Sequence, residues 1–237
     1  MGGDYLEYQK KYATQIRESD RVIIEMVREI VQRRGDIGRS LSLVDIGCSS
    51  GNLLFHLKHK VPEVVLTGGE VYPKIVEQCR KNPALSGINF EEMDLLRLSR
   101  KREFDIVVVN AVLCLFDEEG FDLAVGNIAD GLRGHGALIV FDWFHPYEQE
   151  LTIIERSKTH LGGLEIRFRS YRRVTTALEK SGFSGISFQP FKIPIDLPEP
   201  EDGSDISSHT VRMESGERLI FRGALFTPWC HVLAEKG

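Results

Sequence analysis

The 237-residue sequence contains no apolar run of the roughly 18 residues that a membrane-spanning helix requires. Its first residues, Met1-Gly2-Gly3, show no signal-peptide pattern, so we expect a cytoplasmic protein without a membrane partner. The four cysteines have no paired spacing, which suits a reducing compartment and predicts neither a zinc site nor an iron–sulfur cluster. Positive charge is not in excess either. The net charge of -5 disfavours a nucleic-acid partner, because phosphate binding requires a basic face.

Apolar runs alternate instead with helical patterns, as is typical of a doubly wound α/β sheet. The first five predicted strands are residues 42–46, 64–70, 88–93, 104–110 and 136–142. Helices are predicted in two pieces within residues 4–35, then after Gly51, over 73–81 and over 119–133. Later patterns predict helices over 149–158 and 171–180, strands over 185–193 and 226–234, and a hairpin over 210–221. No second domain is indicated, so we expect residues 1–237 to form one domain.

The first strand leads into a turn of small residues, Asp45-Ile46-Gly47-Cys48-Ser49-Ser50-Gly51. Such a turn binds a ligand against backbone N–H groups at a helix N-terminus. A dinucleotide fingerprint needs glycine at its first, third and sixth positions, where this chain has Gly47, Ser49 and Asn52. Because serine and asparagine occupy the last two, an NAD-linked oxidoreductase is disfavoured.

A polar residue follows each of the next three predicted strands. Glu70 ends the second, Asp94 follows the third and Asn110 ends the fourth. Ligands of open α/β sheets bind at the carboxyl ends of such strands. An acid after a strand is also often only a helix cap, and Asp94 alone does not decide between the two roles.

Together with the turn, these residues make positions 40–142 resemble the class I family of methyltransferases that use S-adenosylmethionine (SAM). This chain departs from the family's acid-x-Gly-x-Gly-x-Gly run at one position, where it has Ser49 in place of the middle glycine. The resemblance implies an α/β, Rossmann-like fold: a doubly wound, mostly parallel seven-stranded sheet with N-terminal helices and an added hairpin before the last strand. It implies SAM as cofactor, S-adenosylhomocysteine (SAH) as product, ribose hydroxyls bound by Glu70, and adenine met by Asp94. The implied cofactor-binding residues are Asp45, Gly47, Cys48, Ser49, Gly51, Glu70, Val71, Asp94, Leu95, Asn110 and Ala111.

The same resemblance divides the chain into an N-terminal helical cap (1–35), a SAM-binding half (40–142) and an acceptor-side half (143–237). His145 is the candidate general base, because an imidazole beside the cofactor pocket titrates near neutrality. The alternative is an ordinary loop histidine before Pro146. Residues 156–173 are rich in arginine, which predicts either a site for a substrate anion or a solvated face. The predicted substrate-binding residues are Trp143, Tyr147, Arg167 and Arg169.

The predicted activity is therefore methyl transfer to an oxygen of a small molecule or a sugar-containing metabolite. Enzymes that methylate amino groups of nucleic acids and glutamine resemble one another in an Asn-Pro-Pro-Tyr motif, whereas Asn110 precedes Ala111-Val112-Leu113. No metal is expected, because too few acids cluster at the acceptor end. The alternatives are N-methylation of a small amine and a non-catalytic SAM- or nucleotide-binding protein.

Overall fold

A computed structural model describes residues 15–34, 38–158, 160–203 and 206–237. Its first helix, α1 (Glu18–Arg34), buries the apolar stripe Ile23, Ile24, Val27 and Ile30, whose spacing follows the helical repeat. This confirms the second of the two predicted N-terminal helices. The first lies outside the described residues.

Strands and helices then alternate through the first part of the chain. The elements are β1 (Ser42–Ile46), α2 (Asn52–Lys60), β2 (Val65–Glu70), α3 (Pro73–Lys81), β3 (Asn89–Glu92), β4 (Phe104–Asn110), α4 (Glu118–Gly131) and β5 (Leu132–His145). The second part contains β6 (Leu151–Glu155), β7 (Leu164–Ser170), α5 (Tyr171–Lys180), β8 (Phe183–Pro190), β9 (Ser208–Arg212), β10 (Arg218–Arg222), β11 (Leu225–Phe226) and β12 (Trp229–Lys236). None of the described helices is both long enough and apolar enough to cross a membrane.

The main sheet has the strand order β3-β2-β1-β4-β5-β12-β8. Strands β1 to β5 pair in parallel, and β12 runs antiparallel between β5 and β8. This confirms the mostly parallel, Rossmann-like sheet. Ile46 on β1 lies in register with Gly69 on β2 and with Val109 on β4, so the carboxyl ends of these three strands lie side by side. The strand order reverses between β1 and β4, and open α/β sheets bind ligands at such a point.

Helices cover both faces of this sheet. On β4, Val107 and Val109 pack in one apolar cluster with α4 and α5, while Ile106 and Val108 pack in another with α1, α2 and α3. The alternation follows from the two-residue period of a strand, and a strand buried on both faces reads as a continuous apolar run.

Two predictions for the chain after β5 are wrong. The helix expected over residues 149–158 is instead strand β6, which pairs antiparallel with β7. Its three consecutive β-branched residues, Thr152, Ile153 and Ile154, favour a strand. β7 also pairs with the end of β5, so the sheet has nine strands rather than seven. The hairpin before the last strand is confirmed as β9 and β10, which form a separate sheet with β11.

Candidate functional site

The turn after β1 places three residues in left-handed backbone conformations. Gly47, Ser49 and Gly51 have φ values of 84°, 50° and 77°. The N–H groups of Gly47 and Cys48 both donate to the carbonyl oxygen of Gly69, at 2.8 and 3.0 Å. A Cβ atom at position 47 would lie 2.4 Å from Cγ2 of Val112, so the close packing there requires glycine. Ser49 adopts the glycine-like conformation itself, and the turn therefore keeps its shape without the third glycine.

Glu70, at the end of β2, fixes this turn to the neighbouring strand. Its buried carboxylate accepts hydrogen bonds from the backbone N–H groups of Ser49 (3.0 Å), Val71 (2.8 Å) and Tyr72 (3.3 Å). An ionised carboxylate offers about four lone-pair sites, so roughly one remains for a ligand. The predicted pair of ribose contacts thus requires one of the backbone donors, of which Tyr72 is the most distant, to give way.

Asp45 and Asp20 bring two further carboxyl groups into the interior beside this turn. Asp45, on β1, is the first residue of the acid-led motif, and burial together with the charges of Asp20 and Glu70 raises its pKa to about 8. Burial also raises the pKa of Asp20 to about 6, against the opposing effects of Arg17 and of a hydrogen bond from Asn110. The Oδ1 atom of Asp45 is buried and has no hydrogen-bond partner among the described residues.

Asp20 is a residue of the site that the sequence motifs did not predict. The pattern nevertheless contains an indication. Asp20 precedes Ile23, Ile24 and Val27 by three, four and seven residues, which places an acid on the buried apolar face of α1. An acid in such a stripe needs a partner, because an unpaired buried charge is costly.

The other predicted cofactor-binding residues differ in their surroundings. Asp94 caps the short turn Leu95–Arg97 by accepting the N–H of Leu96 at 2.9 Å. Leu95 is buried, whereas half of the Val71 surface is exposed. Asn110 donates from Nδ2 to Oδ1 of Asp20 at 3.3 Å. Ala111 follows with a left-handed φ of 57° and donates its N–H to the carbonyl oxygen of Phe141.

His145 is the last residue of β5 and lies at the same edge of the sheet, rather than in a loop beyond the strand. It is buried, and neither ring nitrogen has a hydrogen-bond partner in the described part of the chain. Its ring centroid lies 6.0 Å from that of Tyr147, whose side chain is 68% exposed. A buried imidazole with unused nitrogens beside an exposed phenol is suited to meet a polar group that enters from solvent.

Trp143 belongs to a packed aromatic cluster. Its ring stacks on Phe168 at 4.9 Å and meets Trp229 edge to face at 5.0 Å. Its indole Nε1 is buried without a hydrogen-bond partner in the described residues. The ring is therefore part of the packed core, while its N–H group is available to a ligand.

The arginine-rich segment is paired internally, and this includes Arg169, which the sequence predicts to bind substrate. The guanidinium of Arg169 is almost fully buried and donates to the carbonyl oxygens of Leu113 (2.9 Å) and Phe116 (2.6 Å) and to the carboxylate of Glu118 (3.0 Å). It also lies 4.2 Å from the ring centre of Phe121. These contacts leave little of the cation for a substrate, since Arg has five N–H donors.

The remaining arginines of this segment that have described partners show the same pattern. Arg167 pairs with Glu165 at 2.5 Å, and Arg173 pairs with Glu118 and Asp122 at 2.7 Å. The segment is therefore a network of ion pairs on the protein rather than a ready-made anion site.

No cluster of three or more potential metal ligands is present in the described ranges.

The site fits the chemistry of SAM, which carries a sulfonium and an α-ammonium group. Acidic side chains line the turn, one buried carboxylate oxygen lacks a partner, and the buried hydroxyls of Ser49 and Ser50 also lack hydrogen-bond partners among the described residues. Asp45, Glu70 and the turn from Gly47 to Gly51 are the residues that would hold the cofactor.

Comparison with known proteins agrees with this geometry. Residues 43–136 match a family described as a methyltransferase domain. The chain is 25% identical over 111 residues to malonyl-(acyl-carrier protein) O-methyltransferase of Acetivibrio thermocellus, which covers 47% of this chain and 38% of that relative. It is 34% identical over 71 residues to trans-aconitate 2-methyltransferase of Rhodococcus jostii, covering 30% of this chain and 26% of that relative. The chain thus spans well under half the length of these curated relatives.

A solved structure shares the fold. A SAM-dependent methyltransferase from Methanosarcina mazei superposes with a TM-score of 0.58 at 15% identity, covering 84% of this chain and 93% of that one. The glycine-containing turn, the acids at successive strand ends, the family match and this fold agree with one another. Residues 43–136 therefore form a methyltransferase domain, and the chain shares the fold of SAM-dependent methyltransferases.

Proposed function

We propose that this chain transfers the methyl group of SAM to an oxygen atom of a small-molecule acceptor. The observation that carries the proposal is the turn from Gly47 to Gly51, held by Glu70 at the carboxyl edge of the sheet. When bound, SAM supplies an activated methyl group and leaves as SAH once the acceptor oxygen has taken the methyl carbon. The chain's own residues then have three tasks: to hold the cofactor, to align the acceptor and to accept its proton.

In this proposal, residues 40–142 hold the cofactor and residues 143–237 form the acceptor side of one domain. The carboxylate of Glu70 and the turn that it anchors hold the nucleoside end. Acidic groups beneath the turn balance the positive charge of the other end. Because alignment of reactants removes much of the barrier to group transfer, this positioning is the main contribution of the chain.

His145 takes the proton of the acceptor hydroxyl at a ring nitrogen. The proposal is supported by the place of its imidazole at the end of β5 and by its two unpartnered nitrogens. An acceptor oxygen is supported by the name of the Acetivibrio relative, which is an O-methyltransferase. The net charge of -5 favours a small molecule over a nucleic acid, and the four buried free thiols suit a reducing compartment such as the cytoplasm.

A screen with methyl-labelled SAM over metabolite extracts would identify the acceptor, and mass spectrometry of the product would assign the new bond to oxygen or nitrogen. With that acceptor, His145→Gln is expected to lower kcat by about 10²- to 10⁴-fold, the usual contribution of a general base. Its affinity for SAH should remain that of the wild type. His59→Gln, an exposed change at the far end of α2, is the matched control. Wild-type turnover by the His145 variant would exclude this residue as the base, and an N-methylated product would overturn oxygen as the acceptor atom.

A further inference from the structure

Asp20 reaches the site from α1. The start of α1 is fixed to the sheet by His231 on β12, whose Nε2 lies 3.2 Å from the carbonyl oxygen of Ser19. The neighbouring Asp20 side chain is 2% exposed and accepts a hydrogen bond from Asn110 at the end of β4. A residue far from the motif in sequence is therefore held at the carboxyl edge of the sheet.

The charges of Asp20 and Glu70 both act on the buried carboxyl group of Asp45. Arg17 is the cation that acts on Asp20, whereas no cation of the described residues is among the groups that act on Asp45. Asp45 is 3% exposed, and its Oδ1 atom has no hydrogen-bond partner in the part of the chain that the structure describes. A buried carboxylate oxygen without a partner, in a site with several acids, calls for a cationic donor.

We propose that Asp20 and Asp45 together bind the α-ammonium group at the amino-acid end of the cofactor. This inference rests on the proposed function and names a binding residue, Asp20, contributed by α1. An ammonium group has three N–H donors and no acceptor, so it can serve carboxylate oxygens on both β1 and α1 at once. Burial raises the pKa of Asp20 to about 6 and that of Asp45 to about 8, and a bound cation would favour the ionised form of both acids.

Isothermal titration calorimetry of Asp20→Asn with two ligands tests the proposal. The first ligand is SAH. The second is its deaminated analogue, which keeps the adenosine, the thioether and the carboxylate but carries hydrogen in place of the ammonium group. Loss of a hydrogen bond to a charged group should weaken SAH binding by about 10- to 100-fold. Affinity for the analogue should stay within about twofold of the wild-type value, because the analogue has no ammonium for Asp20 to bind.

Glu25→Gln is the matched control, since this exposed acid lies on the same helix and pairs only with Arg28 among the described residues. It should bind both ligands as the wild type does. Equal SAH affinity in the wild type and Asp20→Asn, or an equal loss for both ligands, would overturn the role of Asp20 while leaving the proposed function intact. Failure of the wild type to bind SAH would instead overturn the cofactor assignment itself. Thermal unfolding of Asp20→Asn confirms that the isosteric variant is folded in the assay.

Discussion

Replacing Glu70 with glutamine tests whether the carboxylate holds the turn in the shape that binds SAM. An amide retains one oxygen, which can keep the contacts with the N–H groups of Val71 and Tyr72. Its NH₂ group then faces the N–H of Ser49, so one charge-assisted bond becomes a contact between two donors. A hydrogen bond to a charged group contributes about 1.5–3 kcal/mol, and a buried donor left without a partner costs a similar amount. We expect Glu70→Gln to lower the free energy of unfolding by about 2–3 kcal/mol.

Urea unfolding followed by circular dichroism measures this change. With an m-value of about 2–3 kcal/mol/M, the unfolding midpoint should fall by about 1 M. Binding should weaken as well, because the turn loses its anchor at Ser49. If SAH affinity falls tenfold, a concentration of 100 times the wild-type Kd stabilises the wild type by about 2.7 kcal/mol and the variant by about 1.4 kcal/mol.

The matched control is Glu92→Gln, because Glu92 is the register partner of Glu70 on β3 and is exposed. A surface change of this kind alters stability by less than about 0.5 kcal/mol. A wild-type unfolding midpoint in Glu70→Gln, or wild-type SAH affinity, would refute the assignment of Glu70 as the residue that holds the turn.

Two further predictions concern buried charges. Arg169→Met should lower the free energy of unfolding by about 3–5 kcal/mol, because it leaves carbonyl oxygens and Glu118 without their cation. Urea unfolding measures this loss, with the exposed Arg172→Met as control. A loss as small as that of the control would contradict the structural role of Arg169. Asp45→Asn tests the pH dependence of stability. The folded pKa of Asp45 lies near 8 and its ordinary value is 3.8, so its contribution is fully present below about pH 4 and is lost as the pH rises to about 8. Unfolding measured from pH 5 to 8 should show the wild type losing up to about 1.4 kcal/mol per pH unit relative to the variant, and a constant difference would refute the raised pKa. The pKa of His231, lowered by burial to about 4, has the opposite effect but is common to both proteins.

The central strands could be predicted from the sequence because each is buried on both faces and reads as one apolar run. The predicted bounds of β1 and β4 agree with the structure, and α3 begins at Pro73 as expected. The segment after β5 could not be predicted in the same way. β6 is a strand because it pairs with β7, as in the register of Ile153 with Ile166, and such a partner is not visible within a short window of sequence.

The residues of the candidate site differ in the same way: some are predicted by local sequence, and others depend on tertiary packing. The turn and Glu70 are local features at the end of a strand, and their residue types and spacing carry the prediction. Asp20 and Arg169 depend on which elements pack together. Asp20 meets Asn110 only because α1 packs against the sheet, and Arg169 meets Glu118 only because β7 packs beside α4. The sequence of an arginine-rich segment therefore does not distinguish a substrate site from a network of internal ion pairs.

Ser49 shows why a departure from a glycine motif need not weaken the assignment. A left-handed conformation costs a residue with a Cβ atom about 1–2 kcal/mol, so serine here is less stable than glycine by backbone conformation alone. The backbone N–H at this position, which glycine would also provide, donates to Glu70 and helps to hold the turn in this conformation, since bonds to charged acceptors contribute about 1.5–3 kcal/mol. The hydroxyl that serine adds is buried and has no hydrogen-bond partner in the described residues, at the point where the cofactor would contact the turn. Backbone strain concentrated beside unpartnered polar groups is typical of a ligand-binding turn, and position 49 is therefore better explained as part of the cofactor site than as a defect in the motif.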